Sequence, residues 1–146
     1  MARVVLLDTG PLGMVTHPRP NRDVVEWLQR LIKSRASILI PEICDYELRR
    51  ELMRANRRKG IARLDALERT LEYVAITTGA MRKAAEFWAE ARNRGVPTAD
   101  AAALDGDMIL CAQAATLPPA GEPPIIATTN VSHLALFASA RAWESI

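Results

Sequence analysis

Four oxygen-bearing side chains stand out as candidates for chemistry: Asp8, Glu47, Asp107 and Asn130, with Asp105 close to the third. Carboxylates suit hard divalent cations, and magnesium binds through one or two of them while keeping several waters. Clustered carboxylates repel one another, so a shared cation is the natural way to hold them ionised together. Such an ion lowers the pKa of a bound water and stabilises charge on phosphate oxygens. The chemistry suggested is Mg2+- or Mn2+-assisted hydrolysis of a phosphodiester, with no nucleophilic side chain. No convincing Ser-His-Asp or Cys-His arrangement competes with it.

Those residues work together only if the fold positions them. Val4-Val5-Leu6-Leu7 is the β-branched apolar run of a buried parallel strand, and Asp8-Thr9-Gly10-Pro11 breaks it. Asn21 is the N-cap of a helix carrying Val24, Val25, Leu28, Leu31 and Ile32 at helical spacing. Residues 37–41 read as a second strand. A helix then runs from about Glu42 to Lys59, with Gly60 as stop or kink and a second piece through Leu71. Residues 73–76 form a third strand, and a helix from about Gly79 to Arg94 ends at Gly95. Val96-Pro97-Thr98 begins a loop, and a helix follows from about Asp105 to Ala115. The proline-rich residues 118–124 exclude regular structure. Residues 125–128 form a fourth strand, residues 131–138 a short helix, and the tail with Trp143 packs back on the sheet.

Strands alternating with helices predict an α/β fold: a three-layer α/β/α sandwich with a mainly parallel central sheet of four to five strands. Sites in such folds form beyond the carboxyl ends of the strands. Asp8 directly follows the first strand, Glu47 lies one or two turns into the helix after the second, and Thr128 and Asn130 follow the fourth. Asp105 and Asp107 open the helix before it. Two residues apart, they diverge by about 200° on a regular helix, which makes Asp107 the stronger ligand and leaves Asp105 as ligand or N-cap. Each acid also has a plain structural reading, Asp8 as a turn residue and Glu47 as a solvated helix position. Asp45 faces away from Glu47, and Asp100 falls in a loop.

The 146 residues make one domain, residues 1–146, with no repeat or linker. The apolar run at the start is too short for a signal peptide or membrane span, so a cytoplasmic location is expected. Cys44 and Cys111 read as core, as do Trp27, Trp88 and Trp143, and His17 and His133 as isolated surface or capping residues. Residues 48–63 carry seven bases against one acid, a local +6 in a chain whose net charge is +2. This segment, with Arg49, Arg50 and Arg54 nearest the acids, offers phosphate contacts to RNA, or a solvated face, or a surface for an acidic partner.

These motifs carry a resemblance. The chain resembles PIN-domain proteins, and within them the VapC-type toxin ribonucleases. The family opens with an apolar strand ending in Asp-Thr/Ser, here Leu6-Leu7-Asp8-Thr9. Its Glu-Leu pair matches Glu47-Leu48, its third acid matches Asp107 before Met108-Ile109-Leu110-Cys111-Ala112, and its Thr-x-Asp/Asn matches Thr128-Thr129-Asn130. The resemblance implies catalytic roles for Asp8, Glu47, Asp107 and Asn130, metal ligation by Asp8, Asp107 and Asp105, and substrate contacts at Thr9 and Thr128. It also implies Mg2+ or Mn2+, RNA as substrate, homodimerisation, and a small antitoxin protein as partner. Asn130 departs from the Asp of many relatives and lowers the negative charge of the site. Two other readings fit the sequence: a PIN-like module that binds RNA or a protein partner without cutting, and a phosphotransferase-type hydrolase with Asp8 as nucleophile. Gly10 stands where the second Asp of such enzymes would fall. Neither Gly-x-Gly-x-x-Gly nor a Walker sequence follows the first strand.

Overall fold

A computed structural model of the chain describes residues 3–95 and 101–146. The expected loop at 96–98 and Asp100 lie outside the described residues. Five strands form a single sheet: β1 (Val4–Leu7), β2 (Ser37–Pro41), β3 (Glu72–Val74), β4 (Ile125–Thr128) and β5 (Ala140–Ala142). Their order is β3-β2-β1-β4-β5, and every neighbouring pair is parallel. Leu6 is opposite Leu39 on one side and Ile126 on the other. Successive strand residues point to opposite faces. Val5, Leu6, Leu7, Ile126 and Ala127 are all wholly buried, so both faces of the central strands are covered.

The helices that cover it are α1 (Thr9–Thr16), α2 (Arg22–Lys33), α3 (Glu42–Arg54), α4 (Arg58–Thr70), α5 (Thr78–Asn93), α6 (Ala101–Ala115) and α7 (Val131–Leu134). In α2, Asn21 caps the start by accepting the Asp23 N–H at 2.7 Å, and Val24, Trp27 and Leu31 form the buried stripe. Trp27 meets Trp143 edge-to-face, with ring centres 5.5 Å apart, which fastens the C-terminal turn to the core. Gly95, past the end of α5, has φ +64° and suits the left-handed residue after a helix.

Several sequence-based expectations are corrected. The sheet is wholly parallel, and the tail supplies its fifth strand. Residues 9–16 are helical and not a mere break, because Asp8 caps α1 and Pro11 sits in the first turn, where a missing N–H costs nothing. The break in the basic segment falls at residues 55–57, where Asn56 takes φ +54°, and not at Gly60. Gly60 lies inside α4, where a Cβ would come within 2.9 Å of Leu52 Cδ2, so its role is close packing of α4 on α3. The third strand is residues 72–74, α6 begins four residues before Asp105, and α7 stops at Leu134. Trp88 is exposed on α5 beneath the Arg92 guanidinium and is not core.

Candidate functional site

The chain leaves β1 toward β2 on one side and returns to β4 on the other, so the carboxyl ends of β1 and β4 flank the point where strand order reverses. Ligand crevices of open α/β sheets form at such points. Asp8 stands there, held by its backbone: its N–H donates to the Ala127 carbonyl at 3.0 Å, extending the pairing with β4 by one residue. Its side chain is fixed at both oxygens. Oδ1 accepts the Thr9 N–H at 2.7 Å as the α1 cap, and Oδ2 accepts the Thr128 hydroxyl at 2.6 Å. Thr128 is wholly buried at the end of β4.

Glu47 reaches the same place from the first half of α3. The Thr9 hydroxyl donates to its Oε1 at 3.0 Å, so consecutive residues 8 and 9 tie two acids 39 positions apart into one unit. Its Oε2 abuts Gly106 on α6, in space that any side chain at 106 would fill. Burial raises the Glu47 pKa, the Asp8 charge adds to the rise, and the Thr9 hydrogen bond and Arg50 offset part of it.

Asp107 completes the group from α6. Burial, then the Asp8 charge, then Glu47 push its carboxyl up to about 6, against an opposing pull from His133. The His133 Nδ1 stands 3.5 Å from Asp107 Oδ2 and 3.1 Å from Asn130 Nδ2. Asn130 is itself positioned: its N–H donates to the Thr128 hydroxyl at 2.9 Å, and its Oδ1 accepts from Ser132 at 3.2 Å. Asp8, Glu47, Asp107 and Asn130 thus gather around Thr9, Thr128 and His133.

Other expected residues stand elsewhere. Asp105 is exposed beside Met81, Trp88 and Ile109 in the α5–α6 groove, one turn too late to cap α6, and is neither cap nor partner of the acids. Arg49 is corrected from substrate contact to scaffold: it bridges Asp45 (3.0 Å), Asp65 (2.8 Å) and Glu68 (3.3 Å), joining α3 to α4. Arg54 pairs with Glu51 at 2.9 Å in solvent. Arg50 lies over the Tyr46 ring, and its charge acts on Glu47, so it remains beside the site.

Three participants escaped sequence reasoning. His133 is not isolated, and its spacing of three from Asn130 across the start of α7 was the available signal. Gly106, between two acids, reads as nothing in sequence until α3 is packed against it. Cys44 is buried as expected, yet its Sγ lies 3.8 Å from Asp8 Oδ1; burial first, then Asp8, raise its pKa and keep it a thiol.

The arrangement defines an acidic cluster at a strand-order switch of a parallel α/β sheet. No family model and no curated protein matches the chain. Solved structures do. One is the crystal structure of VapBC2 from Rickettsia felis bound to a DNA fragment from its promoter, with TM-score 0.74 and 17% identity, covering 96% of this chain and 98% of that one. FitAcB from Neisseria gonorrhoeae matches with TM-score 0.71 and 20% identity over 98% of this chain and 100% of that one. DNA-bound VapBC from Salmonella typhimurium has TM-score 0.71 and 17% identity, over 98% and 99% of the two chains.

At 17–20% identity the likeness shows the fold alone; two of the three structures are bound to DNA. It corrects the sequence-based assignment. The matched structures are two-protein complexes, and their DNA-bound forms do not support the reading of this chain as a VapC-type toxin that cuts RNA. The PIN-like fold label is withdrawn with it, and the architecture is stated as what it is: five parallel strands in the order β3-β2-β1-β4-β5 with seven α-helices among the described residues. No helix among those residues is long and apolar enough to cross a membrane.

Proposed function

We propose that the acidic cluster hydrolyses phosphodiester bonds of a nucleic-acid strand with the help of Mg2+ or Mn2+. The observation that carries this reading is the linkage of Asp8 and Glu47 through Thr9, with Asp107 close enough for its ionisation to be opposed by both. Among the described residues, no group of three or more His, Cys, Asp or Glu is arranged to hold a metal ion. A closed zinc site is therefore a poor fit. The all-oxygen donor set fits a hydrated magnesium ion, which takes one or two carboxylates and keeps its waters, with Asp8 and Asp107 as the donors. When bound, the ion supplies a water of lowered pKa and offsets charge on the phosphate.

The protein's own groups do the rest. Thr9 and Thr128 each spend a hydrogen bond on fixing a carboxylate, so the acids need not reorganise when substrate arrives. Glu47 is held at Oε1 by Thr9, and its Oε2 fills the space that Gly106 leaves open, which fixes the carboxylate that would accept the proton of an attacking water. Asn130 orients His133, and His133 faces Asp107 Oδ2.

The test is Asp8→Asn assayed with Mg2+ and with Mn2+ on single-stranded RNA and DNA oligonucleotides. Cleavage should fall by about 100-fold or more while circular dichroism stays unchanged. Wild-type protein that cuts neither strand with either ion sinks the proposal.

A second reading has its own observation. The similar structures are complexes with a partner protein, and two of the three reported are on DNA. In this reading the chain is a non-cutting subunit of a DNA-bound assembly, with a small protein or a second copy as partner. Asn130, a neutral residue in an acidic cluster, favours it. Light scattering with and without a co-expressed partner, and retention of duplex DNA by Asp8→Asn, separate it from the first.

A further inference from the structure

The fold sorts the bases of residues 48–63 into different surroundings. Two of the first three bases are taken up: Arg49 is locked among three acids and Arg54 is paired with Glu51, while Arg50 lies over the Tyr46 ring. Beyond the turn at Asn56, a cavity of about 710 Å3 opens between the end of α1 and the α3–α4 junction. Its rim carries Arg19, Arg57, Arg58 and Lys59, and no carboxylate lines it. Among the described residues, none of these four bases forms an ion pair. Leu48 and Leu52 line it as well, giving the bases an apolar backing that weakens competition from water.

His17, also on the rim, adds a donor. Its Nδ1 accepts the Arg19 N–H at 3.0 Å, which leaves the proton on Nε2 in the neutral ring. The α4 N-terminus begins at Arg58 with no side-chain cap hydrogen bond, and its first residues, Arg58 to Gly60, line the same cavity.

We infer that this cavity holds a backbone phosphate of the same single nucleic-acid strand whose scissile bond lies at the acidic cluster. This deepens the proposed hydrolase reading and rests on it. Helix α1 joins the two places, with Asp8 capping one end and His17 following the other. Its eight residues span about 12 Å, which is no more than about four nucleotides at the roughly 3.4 Å rise of a stacked strand. The strand would run along α1, its phosphate in the basic cavity setting which bond meets the acids. Phosphate contacts fix register without reading bases, so the subsite governs position and not sequence.

The test uses the full chain carrying Asp8→Asn, so that strands bind without being cut. Arg57→Gln/Arg58→Gln/Lys59→Gln should weaken binding of a fluorescent single-stranded oligonucleotide of about twelve residues by roughly 10-fold or more at low salt. The log–log salt slope should shrink by about 2, the value for three lost contacts on a single strand. Arg57→Lys/Arg58→Lys, which keeps charge and guards against a folding artefact, should bind within about twofold of the parent. A control triple on α5, Arg82→Gln/Lys83→Gln/Arg92→Gln, removes equal charge and should change little.

In the otherwise wild-type protein, the cavity triple should slow cleavage of the long strand and leave a dinucleotide unaffected, since the dinucleotide spans only the acids. Unchanged binding by the cavity triple, an equal loss from the α5 triple, or equal loss on the dinucleotide overturns the subsite. Cleavage that persists while the cavity triple binds normally removes the subsite and keeps the hydrolase. Salt-sensitive binding through the cavity by a protein that cuts nothing removes the hydrolase reading and leaves only a strand-binding cavity.

Discussion

The Thr128 hydroxyl donates to Asp8 Oδ2 at 2.6 Å across 120 positions of sequence, and Thr128 Oγ1 in turn accepts the Asn130 N–H. One buried hydroxyl therefore holds the first acid and starts the loop that carries Asn130 and His133. Parallel pairing of β1 with β4, with Leu7 opposite Ala127, is what brings the two strand ends level.

Thr128→Val keeps the shape of the side chain and removes this link. Hydrogen bonds to charged groups contribute about 1.5–3 kcal/mol, and Asp8 keeps its Thr9 partner, so stability should drop by about 1–2 kcal/mol in urea titration. Cleavage should fall by roughly 10-fold or more, because Asp8 gains freedom to rotate. Full activity would show that Asp8 does not depend on β4 for its orientation.

Asp107 makes a pH-dependent prediction. Its folded pKa, about 6, is above the ordinary 3.8, so between those values the native state holds a proton that the unfolded chain has lost. Stability contributed by that proton is present at low pH and is lost as pH rises to about 6. A shift of this size sets an upper bound of about 3 kcal/mol, and partial exposure of the side chain reduces it to roughly 1. Asp107→Asn should therefore be the more stable protein at pH 7 in chelator, with a flatter profile between pH 4 and 6. Added Mg2+ should raise the melting temperature of the wild type and not of the variant; equal shifts would remove Asp107 from cation binding.

Gly106→Ala tests the gap beside Glu47. In an ordinary helix interior the change would stabilise by about 1 kcal/mol. Here the new Cβ meets Glu47 Oε2, the far end of a flexible side chain that can swing aside, so stability should change little while most cleavage is lost as the carboxylate leaves Thr9. Glu47→Ala should therefore have a smaller effect on stability in the Gly106→Ala background than in the wild type, a coupling of about 0.5 kcal/mol or more in a double-mutant cycle. Additive effects would mean that Glu47 and Gly106 do not touch in solution.

Arg49→Met removes the cation between α3 and α4 and leaves Asp45, Asp65 and Glu68 facing one another. Burial, and then Asp45, already raise the Glu68 carboxyl to about 7 with Arg49 in place. The variant should lose about 1–3 kcal/mol at pH 8, and the deficit should shrink as falling pH protonates the acids. Salt dependence of oligonucleotide binding should stay at the wild-type value, which separates scaffold from substrate contact.

Asn130→Ala frees His133 and leaves Ser132 without its acceptor, both at an exposed edge, so stability should move by less than about 0.5 kcal/mol. Cleavage should fall measurably. Unchanged rates would remove Asn130 from the site and strengthen the non-cutting reading.

Sequence alone determined the strand ends and, through them, the candidate site residues: apolar runs at residues 4–7, 37–41 and 125–128 can only be buried, and Asp8, Glu47 and Asn130 follow from where each run stops. It determined the caps at Asn21 and Gly95, because those depend on one residue's own side chain or φ. Tertiary structure decided the rest. Arg49, Arg54 and Arg57 are equivalent in a linear reading, and only the left-handed turn at Asn56 and the packing of α4 on α3 sort them into scaffold, surface pair and open cavity. His133 and Gly106 acquire their parts through neighbours 26 and 59 positions away, which local periodicity does not encode. Pairwise contacts across a parallel sheet depend on strand order, and that order is set by how helices on both faces pack, a property of the whole chain.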